Sequence, residues 1–430
     1  MSGRKRVWFE AAGRKLDPGL VEQLRLKRKE DPYETSNDRL PVIVSYSSDT
    51  DAKKKKELIT ACQADNNSRL DKDIGRRIAR GNLTPQIIKQ IKDHEAVDRI
   101  YYDRIVTALL DVASKQVGSV ELRENAGLTG KGVTIAVIDT GVHPHSDLTE
   151  TSNRIVAFKD FFNDQEEPYD DNGHGTHCAG DAAGDGQQSD GLYSGPAPEA
   201  SIAGVKVLDE NGSGRLSGII EGIEWCIAKK DDYNIRVLSL SLGSQAFESF
   251  RDDPLSIAVG EAWHKGIVVC AAAGNSGPEQ ATISTPAINP FIITVGSIDD
   301  QNTEERSDDE IAEYSGRGPT VDAFVKPDIY APGTDIISLL APESALEHEL
   351  PEQVVDENYL QLSGTSMATP ICAGVVAQIL EANPDLSPND VKTILKATSK
   401  PALNDVWGYI QAGKAVEMAG EYAGFQKAVK

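Results

Sequence analysis

The sequence predicts an α/β protein in which a parallel central sheet carries helices on both faces, preceded by a small α+β module. From about residue 119 onward, apolar strand patterns alternate with amphipathic helical patterns. Such alternation is typical of a parallel sheet covered on both faces. The first 118 residues instead give a succession of strand, helix, strand, helix and strand, which fits a small α+β module.

The N-terminal segment, residues 1–38, is predicted to be a basic arm. Residues 4–29 are basic and mostly polar, and Pro18 interrupts them. Such a composition is typical of a solvated arm or a short helix. We therefore separate this arm from the α+β module at residues 39–110 and from the larger domain at residues 111–430.

The α+β module is predicted from short elements. Residues 40–46 indicate a strand, residues 51–62 an exposed helix, and residues 98–110 a strand rich in isoleucine, tyrosine and valine. Thr84 and Pro85 indicate the start of a second helix, because threonine caps a first turn and proline fits the first helical position. We also expect a strand between the two helices, although its pattern is weak.

Residues 133–142 predict a buried strand whose last residue before the turn is Asp139. The segment is apolar and β-branched and lies between two glycines. Parallel α/β folds place their sites at the carboxyl ends of strands, so this carboxylate is a candidate site residue. An aspartate that only caps the next turn is the alternative.

Residues 170–180 surround His174 and His177 with small residues, so other backbone can approach either imidazole closely. The His-x-x-His spacing with two preceding aspartates also raises the alternative of a metal site. A zinc site would need a third ligand of matching type. The neighbouring sequence offers no Cys-x-x-Cys or glutamate partner, so zinc is not favoured.

Two further strands end in small turns. Residues 235–243 end in a small turn that contains Ser241. Residues 266–277 end in a Gly-Asn-Ser-Gly turn that contains Asn275. Asparagine is a common turn residue, and that is its ordinary role. Its amide is also a neutral donor that can stabilise an oxyanion without adding a charge.

Residues 363–370 place Ser366 in a small-residue turn that opens an apolar helical run, residues 371–380. Backbone N–H groups and the helix dipole favour negative charge at such a position. A serine there can attack a carbonyl while backbone donors hold the oxyanion. A serine that only caps a buried helix is the alternative.

Together, these segments resemble the signatures of the subtilisin-like serine proteases, or subtilases. They supply Asp139, His174, Asn275 and Ser366 in the subtilisin order. The matching stretches are Asp-Thr-Gly, His-Gly-Thr-His-Cys-Ala-Gly, Ala-Ala-Gly-Asn-Ser-Gly and Gly-Thr-Ser-Met-Ala-Thr-Pro, and the resemblance covers roughly residues 119–420. The cysteine in the histidine signature and the missing signal peptide point more narrowly to the intracellular AprX-type subtilases of bacteria.

The resemblance implies a subtilisin-like fold and a role for each of these side chains. Ser366 would be the nucleophile, His174 the base that takes its proton, and Asp139 the carboxylate that orients the imidazole. Asn275 and the N–H of Ser366 would hold the oxyanion. His177 would be a packed histidine.

The resemblance also places two edges that bind an extended polypeptide substrate by strand addition. The residues are Ser241, Leu242 and Gly243 on one edge, Gly212, Ser213 and Gly214 on the other, and Ala272, Ala273 and Gly274 in the first pocket. This pocket has no obvious buried acid. We therefore expect large apolar residues, rather than lysine or arginine, before the cut.

Residues 39–110 resemble the subtilase prodomain, a ferredoxin-like module that assists folding and inhibits the active site of its own chain. We therefore expect a zymogen that cuts itself after Leu109 or Leu110, and the sequence leaves that register open. The product would be the catalytic domain at residues 111–430.

Composition predicts a soluble protein that works in the cytoplasm. The formal net charge of −23 indicates poor affinity for nucleic acid. No apolar run approaches the roughly 18 residues of a membrane span, so no membrane partner is expected. The N-terminus has no apolar signal core. The five cysteines are few, odd in number and mostly in apolar runs, as is typical of reduced thiols.

The chemistry needs no cofactor, but the resemblance leaves a structural calcium ion open. Asp147 stands at the position of one calcium ligand of the family, whereas the companion loop near residues 185–193 is not a clear match. The acidic residues 299–310 are more typical of a solvated loop than of a metal site.

Two other functions fit parts of the same pattern. One is an esterase or peptide amidase that uses the same triad. The other is a catalytically silent subtilase relative that only binds peptides. The peptide-binding edges argue against the first, and the complete set of Asp139, His174, Asn275 and Ser366 argues against the second.

Overall fold

The computed structural model describes residues 7–9, 12, 15–16, 18–30, 39–47, 50–65, 67–74, 78–102, 110–303, 306, 308–402 and 406–429. The chain forms two compact units, Met1–Thr107 and Ala108–Lys430, called here the N-terminal unit and the C-terminal unit. The expected boundary after residue 110 falls close to this division. Residues 103–109, which include Leu109, lie outside the described part.

The N-terminal unit is a small α+β module. Its elements are α1 (Pro18–Glu30), β1 (Leu40–Tyr46), α2 (Ala52–Cys62), β2 (Arg69–Ile74), β3 (Ile78–Leu83), α3 (Pro85–Ile91) and β4 (Val97–Tyr102). The strands form an antiparallel sheet in the order β2-β3-β1-β4. From β1 to β4 this is the βαββαβ arrangement of ferredoxin-like modules.

Local sequence explains both helices that cover this sheet. Asp51 caps α2 by accepting a hydrogen bond from the backbone N–H of Lys54 at 2.8 Å. Thr84 caps α3 by accepting from the N–H of Ile87 at 3.4 Å, and Pro85 occupies the first turn. Both helices therefore begin where the sequence predicts.

The basic segment differs from the expected solvated arm. Leu16, Leu20 and Leu24 are buried in the same core as the strands of the module, and Leu20 and Leu24 lie on α1. Their four-residue spacing puts them on one helical face, while the basic side chains described on α1 are at least partly exposed. The segment is therefore part of the N-terminal unit.

The C-terminal unit contains the remaining elements. They are α4 (Leu110–Gln116), α5 (Ser119–Ala126), β5 (Thr134–Asp139), α6 (Ser146–Thr149), β6 (Ile155–Asp160), α7 (His174–Ala183), β7 (Ser201–Lys206), α8 (Leu216–Ala228), α9 (Lys230–Tyr233), β8 (Ile235–Leu240), α10 (Pro254–His264), β9 (Val268–Ala272), β10 (Ile293–Asp299), β11 (Glu310–Ile311), β12 (Ile329–Pro332), β13 (Ile336–Leu339), α11 (Ala345–Glu349), β14 (Val354–Val355), β15 (Tyr359–Leu362), α12 (Thr365–Ala382), α13 (Pro388–Thr398), β16 (Lys400–Ala402), β17 (Val406–Tyr409) and α14 (Ala412–Val429).

A mostly parallel sheet forms the centre of this unit, with the order β16-β17-β12-β10-β9-β8-β5-β7-β6 and with β11 paired to β10. All six residues of β5 are buried. Because successive side chains of a strand point to opposite faces, the sheet must be covered on both. The helices contact one another in two groups, one that includes α7, α12 and α14 and one that includes α8 and α10.

The central strands bring their carboxyl ends to one edge of the sheet. β5 pairs in parallel with β8, and β8 pairs in parallel with β9. These strands end at Asp139, Leu240 and Ala272. Loops that follow the three strands therefore meet at this edge, which is where α/β folds place their sites.

α12 passes through the core of the C-terminal unit. Within the described residues it is the one helix long and apolar enough to span a membrane, but 83% of it is buried inside the protein. This burial is what a core helix requires. A second small sheet, in the order β13-β15-β14, is antiparallel.

Two sequence expectations about local structure are wrong. The strand expected over residues 98–110 ends at Tyr102, and Leu110 is the first residue of α4. The acidic segment 299–310 is not simply a solvated loop, because Asp300 and Asp309 are 2% and 5% exposed. Asp309 accepts a hydrogen bond from the side chain of Gln116 at 3.5 Å, a contact that local sequence does not reveal.

Candidate active site

A cleft of about 1120 Å³ lies at the carboxyl edge of the parallel sheet. His174, Asn275 and Ser366 line it, whereas Asp139 is fully buried beneath it. The predicted binding residues that also line it are Ser241, Leu242, Gly243, Gly212, Ser213, Gly214, Ala272 and Gly274. Ala273 does not line the cleft, because it is buried in the core, where its N–H donates to Val295 O at 2.9 Å.

His174 and Asp139 form a direct hydrogen bond. The imidazole Nδ1–H donates to Asp139 Oδ1 at 2.7 Å, and the backbone N–H of Thr140 donates to the same oxygen at 2.8 Å. The other oxygen, Oδ2, is buried and has no hydrogen-bond partner among the described residues. With Nδ1 bound to the carboxylate, Nε2 of His174 is free to accept a proton.

The electrostatic environment of His174 favours its charged form. Burial alone would lower the pKa of the imidazole. The attraction of Asp139 outweighs burial, so the pKa of His174 lies well above its ordinary value of 6.5. The arrangement therefore stabilises an imidazolium beside the cleft.

The loop before His174 is fixed by Asp170, which sequence reasoning did not single out. Its carboxylate accepts from Thr140 Oγ1 at 2.9 Å and from the N–H of Gly173 at 2.9 Å. It also accepts from the N–H and the hydroxyl of Thr176, at 2.8 and 2.7 Å. This network joins the turn after β5 to the first turn of α7 and so sets the position of the imidazole.

Close backbone approach explains one of the glycines beside His174. A Cβ on Gly175 would lie 2.2 Å from Gly141 O, which is far inside van der Waals contact. Any side chain at this position would push the first turn of α7 away from the turn after β5. Gly175 therefore permits the short His174–Asp139 distance.

Lys206 is a second positioning residue that sequence reasoning missed. It is fully buried at the end of β7. Its ammonium donates to Thr140 O at 2.5 Å, to Leu208 O at 2.9 Å and to Asp171 Oδ1 at 2.6 Å. A lysine inside an apolar strand was the signal that could have found it, since a buried charge needs several acceptors.

Ser366 is the second residue of α12, so its N–H has no acceptor within the helix. Its hydroxyl donates to Ser241 O at 3.1 Å. Asn275 Oδ1 accepts from both the N–H and the hydroxyl of Thr365 at 2.9 Å. The amide NH₂ of Asn275 therefore remains as a donor beside the N-terminus of α12.

Cys178 lies beneath this site as a buried thiol. Its sulfur is 3.6 Å from Ser366 O, to which it donates, and 3.9 Å from His174 Nδ1. Burial raises the pKa of the Cys178 thiol to about 11, so the sulfur is protonated at neutral pH. Ligand atoms of Asp139, His174 and Cys178 lie within 4.8 Å of one another, the one such group among the described residues.

His177 lies away from the cleft and is fully buried. Its Nε2 is 2.9 Å from Leu360 O and 3.2 Å from Ile336 O, so this nitrogen must carry a hydrogen, because carbonyls only accept. Its Nδ1 is 3.0 Å from Asp181 Oδ2. His177 therefore packs as the sequence predicts and does not form a His-x-x-His metal site with His174.

The two predicted substrate edges border the cleft. Ser241, Leu242 and Gly243 follow the end of β8, while Gly212, Ser213 and Gly214 follow a turn capped by Asp209. Apart from the imidazole of His174, none of the described residues that line the cleft carries a carboxylate or a basic group. The walls therefore offer no carboxylate to a lysine or arginine side chain of a substrate.

A buried aspartate, a histidine and a helix-terminal serine gathered at the carboxyl edge of a parallel sheet define a serine hydrolase. Comparison with known proteins then identifies its group. The chain belongs to the subtilase family, since the family model described as "Peptidase_S8: Subtilase family" matches residues 130–416.

Relatives agree with this membership. The chain is 50% identical over 321 residues to serine protease AprX of Bacillus subtilis (strain 168), a match that covers 73% of this chain and 72% of that protein. It is 37% identical over 293 residues to thermitase of Thermoactinomyces vulgaris, covering 67% of this chain and 90% of thermitase. The solved structure of sphericase matches with a TM-score of 0.54 and 32% identity, over 70% of this chain and 99% of sphericase.

These findings confirm the expected family and the subtilisin-like fold of the C-terminal unit. They also confirm that the chain is an enzyme, a serine protease. Proteases act on polypeptides, so polypeptide substrates follow from the same finding.

Proposed function

We propose that the chain is a serine endopeptidase in which Ser366, His174 and Asp139 act as nucleophile, general base and orienting carboxylate. The observation that carries this proposal is the 2.7 Å hydrogen bond between His174 Nδ1 and Asp139. It leaves Nε2 free in the same cleft that contains Ser366 at the N-terminus of α12.

Acylation begins when the Ser366 hydroxyl turns from Ser241 O toward His174 Nε2. The oxygen attacks the substrate carbonyl carbon, its proton passes to Nε2, and the carbonyl electron pair moves onto oxygen. When the tetrahedral intermediate collapses, the C–N bond breaks and the imidazolium protonates the leaving amine. Water then attacks the acyl-enzyme by the reverse sequence and restores the Ser366 hydroxyl.

Asn275 and the N–H of Ser366 stabilise the oxyanion in this mechanism. The amide oxygen of Asn275 is held by Thr365, so its NH₂ group is oriented before the substrate arrives. Donors held in place act on the transition state without reorganisation. Loss of such an asparagine in a subtilase costs about a hundred- to thousandfold in turnover, the magnitude measured in this family.

We further propose that substrates bind as extended strands and that large apolar residues precede the cut. The two edges at Ser241–Gly243 and Gly212–Gly214 supply backbone groups on either side of the cleft. Ala272 and Gly274 contribute small wall residues to the first pocket. A lysine or arginine side chain would lose its hydration there without gaining an ionic partner.

We propose that the N-terminal unit is an inhibitory prodomain and that the chain matures by cutting itself after Leu109 or Leu110. Its ferredoxin-like topology supports this role, since the subtilase prodomain is expected to have that fold. Leu110 opens α4, so a cut after Leu110 would require the first turn of that helix to unwind. The released unit would stay bound as a product and inhibit until it is degraded.

We also propose that the enzyme works in the cytoplasm and has neither nucleic acid nor membrane partners. All five cysteines are buried free thiols, as is typical of a reducing compartment. The net charge of −23 would repel the phosphate backbone.

The nucleophile is tested with three proteins: wild type, Ser366→Ala and the matched control Ser363→Ala. Ser363 is an exposed serine three residues away, and its hydroxyl bonds to Asp335 instead of facing the cleft. We expect casein hydrolysis and labelling by a fluorophosphonate in wild type and Ser363→Ala, and neither in Ser366→Ala. Casein cleavage by purified Ser366→Ala protein would remove Ser366 from the mechanism.

The same experiment separates the alternatives. A silent peptide-binding relative would not label with fluorophosphonate in wild type. An esterase would hydrolyse activated esters but leave casein intact.

Maturation is tested by intact mass measurement of wild type beside Ser366→Ala. We expect a new N-terminus at Leu110 or Asp111 in wild type alone. A mature N-terminus before residue 100 or after residue 125 contradicts the proposed boundary. Identical processing in Ser366→Ala contradicts its autocatalytic origin.

A further inference from the structure

The subtilase fold often carries a structural calcium ion, and Asp147 stands at the position of one of its ligands. Calcium requires six to eight oxygen ligands at about 2.3–2.6 Å, several of them carboxylates or carbonyls. Whether Asp147 can serve depends on the groups that already contact its oxygen atoms.

Hydrogen-bond donors already occupy both carboxylate oxygens of Asp147. Oδ1 accepts from the backbone N–H of Gln188 at 2.9 Å, and Oδ2 accepts from the hydroxyl of Tyr359 at 2.8 Å. Asp147 and Tyr359 are both fully buried. The phenolic hydroxyl is the donor in this bond, because a carboxylate oxygen only accepts. Each oxygen of Asp147 therefore already accepts a hydrogen bond from the chain itself.

The backbone carbonyl oxygens around Asp147 contact the guanidinium of Arg154. Arg154, which is 5% exposed, donates from Nη1 to Ala183 O at 2.5 Å and to Ala200 O at 3.2 Å. Its Nη2 donates to Asp147 O and lies 3.8 Å from Asp185 Oδ2. One guanidinium therefore meets three backbone carbonyls and one nearby carboxylate.

This oxygen-rich surrounding is the kind that a bound cation requires. The carbonyls come from the end of α7, from the residue before β7 and from α6. They are separated by as many as 53 positions along the chain, between Asp147 and Ala200, so the cation that contacts all three links segments far apart in sequence. A guanidinium suits the task because it offers five donors in a rigid plane and stays charged.

We propose that Arg154 replaces calcium at this position, as a cation built into the chain. Its guanidinium donates hydrogen bonds to α6 and to both ends of the segment between α7 and β7. The stability that the family gains here from calcium is then independent of calcium in this protein. The inference concerns the C-terminal unit alone and does not depend on the catalytic roles proposed above.

Bound calcium tests the first part of the proposal. The full chain with Ser366→Ala, which prevents self-digestion, is compared with the same chain carrying Asp147→Asn. Each is dialysed against calcium, and the metal content per chain is measured. We expect equal calcium content in the two proteins. A calcium ion that the Ser366→Ala chain binds and Asp147→Asn loses overturns the proposal.

Thermal unfolding tests the role of Arg154 in the same background. Arg154→Ala leaves the three carbonyls and Asp185 without their cation, so we expect the Tm to fall by about 10 °C. Arg154→Lys, which keeps the charge but loses the planar fork, should recover part of that loss. Chelator should not change the Tm difference between the Ser366→Ala chain and its Asp147→Asn derivative.

Two results contradict the stabilising role. One is an Arg154→Ala protein with an unchanged Tm. The other is a Ser366→Ala chain whose Tm falls in chelator while that of Asp147→Asn does not. If Arg154→Ala fails to fold, the calcium content of the other two proteins still decides the proposal.

Discussion

At the scale of the residue, two opposing effects act on His174. Burial disfavours the imidazolium, while the carboxylate of Asp139 at 2.7 Å favours it, and the second effect is the larger. Only the neutral imidazole can take a proton from Ser366. The environment that stabilises the imidazolium formed during the reaction therefore also keeps the resting base protonated to a higher pH.

The pH dependence of kcat/KM should show the raised pKa of His174. Because activity needs neutral His174 and its pKa is raised, activity should rise with pH, and the midpoint of the acid limb should lie above 6.5. Asp139→Asn removes the charge that raises this pKa. We expect the limb to move to lower pH and kcat to fall by about four orders of magnitude.

Asp164→Asn is the control for that profile, since Asp164 is exposed and pairs only with Lys159 at 2.9 Å among the described contacts. It should leave both the limb and kcat unchanged. An acid limb at or below pH 6.5 in wild type, or one that Asp139→Asn does not move, would contradict the account of His174.

Cys178 provides a second prediction at this scale. A bulky mercurial on its sulfur would displace the backbone at Ser366 O, 3.6 Å away, and crowd His174. Because the thiol is buried and its pKa is raised to about 11, we expect inhibition to be slow and time-dependent. Residual peptidase activity over time after mercurial addition measures it.

Cys178→Ser should resist the mercurial, whereas the control Cys226→Ser should remain as sensitive as wild type. Cys226 is a buried thiol on α8 and does not line the cleft. Loss of activity at the same rate in Cys178→Ser would locate the sensitive thiol elsewhere.

The residues that sequence reasoning found and missed differ in how they act. Asp139, His174, Asn275 and Ser366 lie in short signatures whose chemistry is local, so their gathering at one edge of the sheet was predictable. Lys206 contacts Thr140 across 66 positions. A contact of that range leaves no local pattern, apart from one charge within an apolar strand.

At the scale of the element, the predicted start of a helix agreed with the structure where a capping residue defined it. α3 begins with Pro85 after its cap Thr84, as the sequence predicts. α13 has the same kind of start, with Pro388 after the cap Ser387, and Ser387 and Asp390 form reciprocal hydrogen bonds. The strand expected to reach Leu110 failed for a different reason. Ala113 and Val117, on α4 and just after it, are buried in the core of the C-terminal unit, and such tertiary packing overrides local strand propensity.

The cap of α13 gives a prediction for stability. Ser387 Oγ accepts from the N–H of Asp390 at 3.3 Å, and Asp390 Oδ2 accepts from the N–H of Ser387 at 2.9 Å. Ser387→Ala in the Ser366→Ala background should cost about 1 kcal/mol, because the first turn loses an acceptor. Thermal unfolding should show a Tm lower by a few degrees.

Ser399→Ala is the matched control at the other end of α13, where the serine hydroxyl donates to Lys396 O at 2.9 Å and caps no N–H group. Its Tm should stay within error of the parent. Equal effects of the two substitutions would mean that the cap contributes nothing specific.

At the scale of the whole molecule, negative charge is the dominant electrostatic feature. The net charge of −23 means that ionised carboxylates repel one another over much of the surface. Ionising a carboxylate costs the folded state most free energy where that carboxylate is also buried. Burial, with a smaller contribution from neighbouring acids, raises the pKa of Asp300 to about 7 and that of Asp309 to about 6.

Asp300 should therefore lower stability as the pH rises. Its folded pKa lies above its unfolded value of 3.8, so the folded state binds the proton more tightly and stability falls between about pH 4 and pH 7. The full loss is on the order of 4 kcal/mol. Asp300→Asn in the Ser366→Ala background should raise the Tm at pH 8 and have much less effect at pH 4.

Asp308→Asn is the control, because this neighbouring aspartate is exposed and donors reach it from Thr303 at 3.0 Å. It should change the Tm little at either pH. A Tm gain from Asp300→Asn that is equal at pH 4 and pH 8 would show that charge is not its cause.

The division of the chain into an N-terminal unit and a C-terminal unit was predictable from the sequence, but the full extent of the N-terminal unit was not. The change in composition near residue 118 indicated a module before the protease domain, but α1 was not assigned to that module. Only Val21, Glu22 and Gln23 separate its Leu20 from Leu24, but the basic composition of the segment concealed this apolar face. The two units are nevertheless built around separate cores.

The five free thiols give each of these cores its own chemical reporter. Cys62 is buried in the N-terminal unit, whereas Cys178, Cys226, Cys270 and Cys372 are buried in the C-terminal unit. An alkylating reagent reaches a buried sulfur only when the surrounding structure opens. The rate at which Cys62 is alkylated therefore records opening of one unit, and the other four record opening of its neighbour, within a single unlabelled chain.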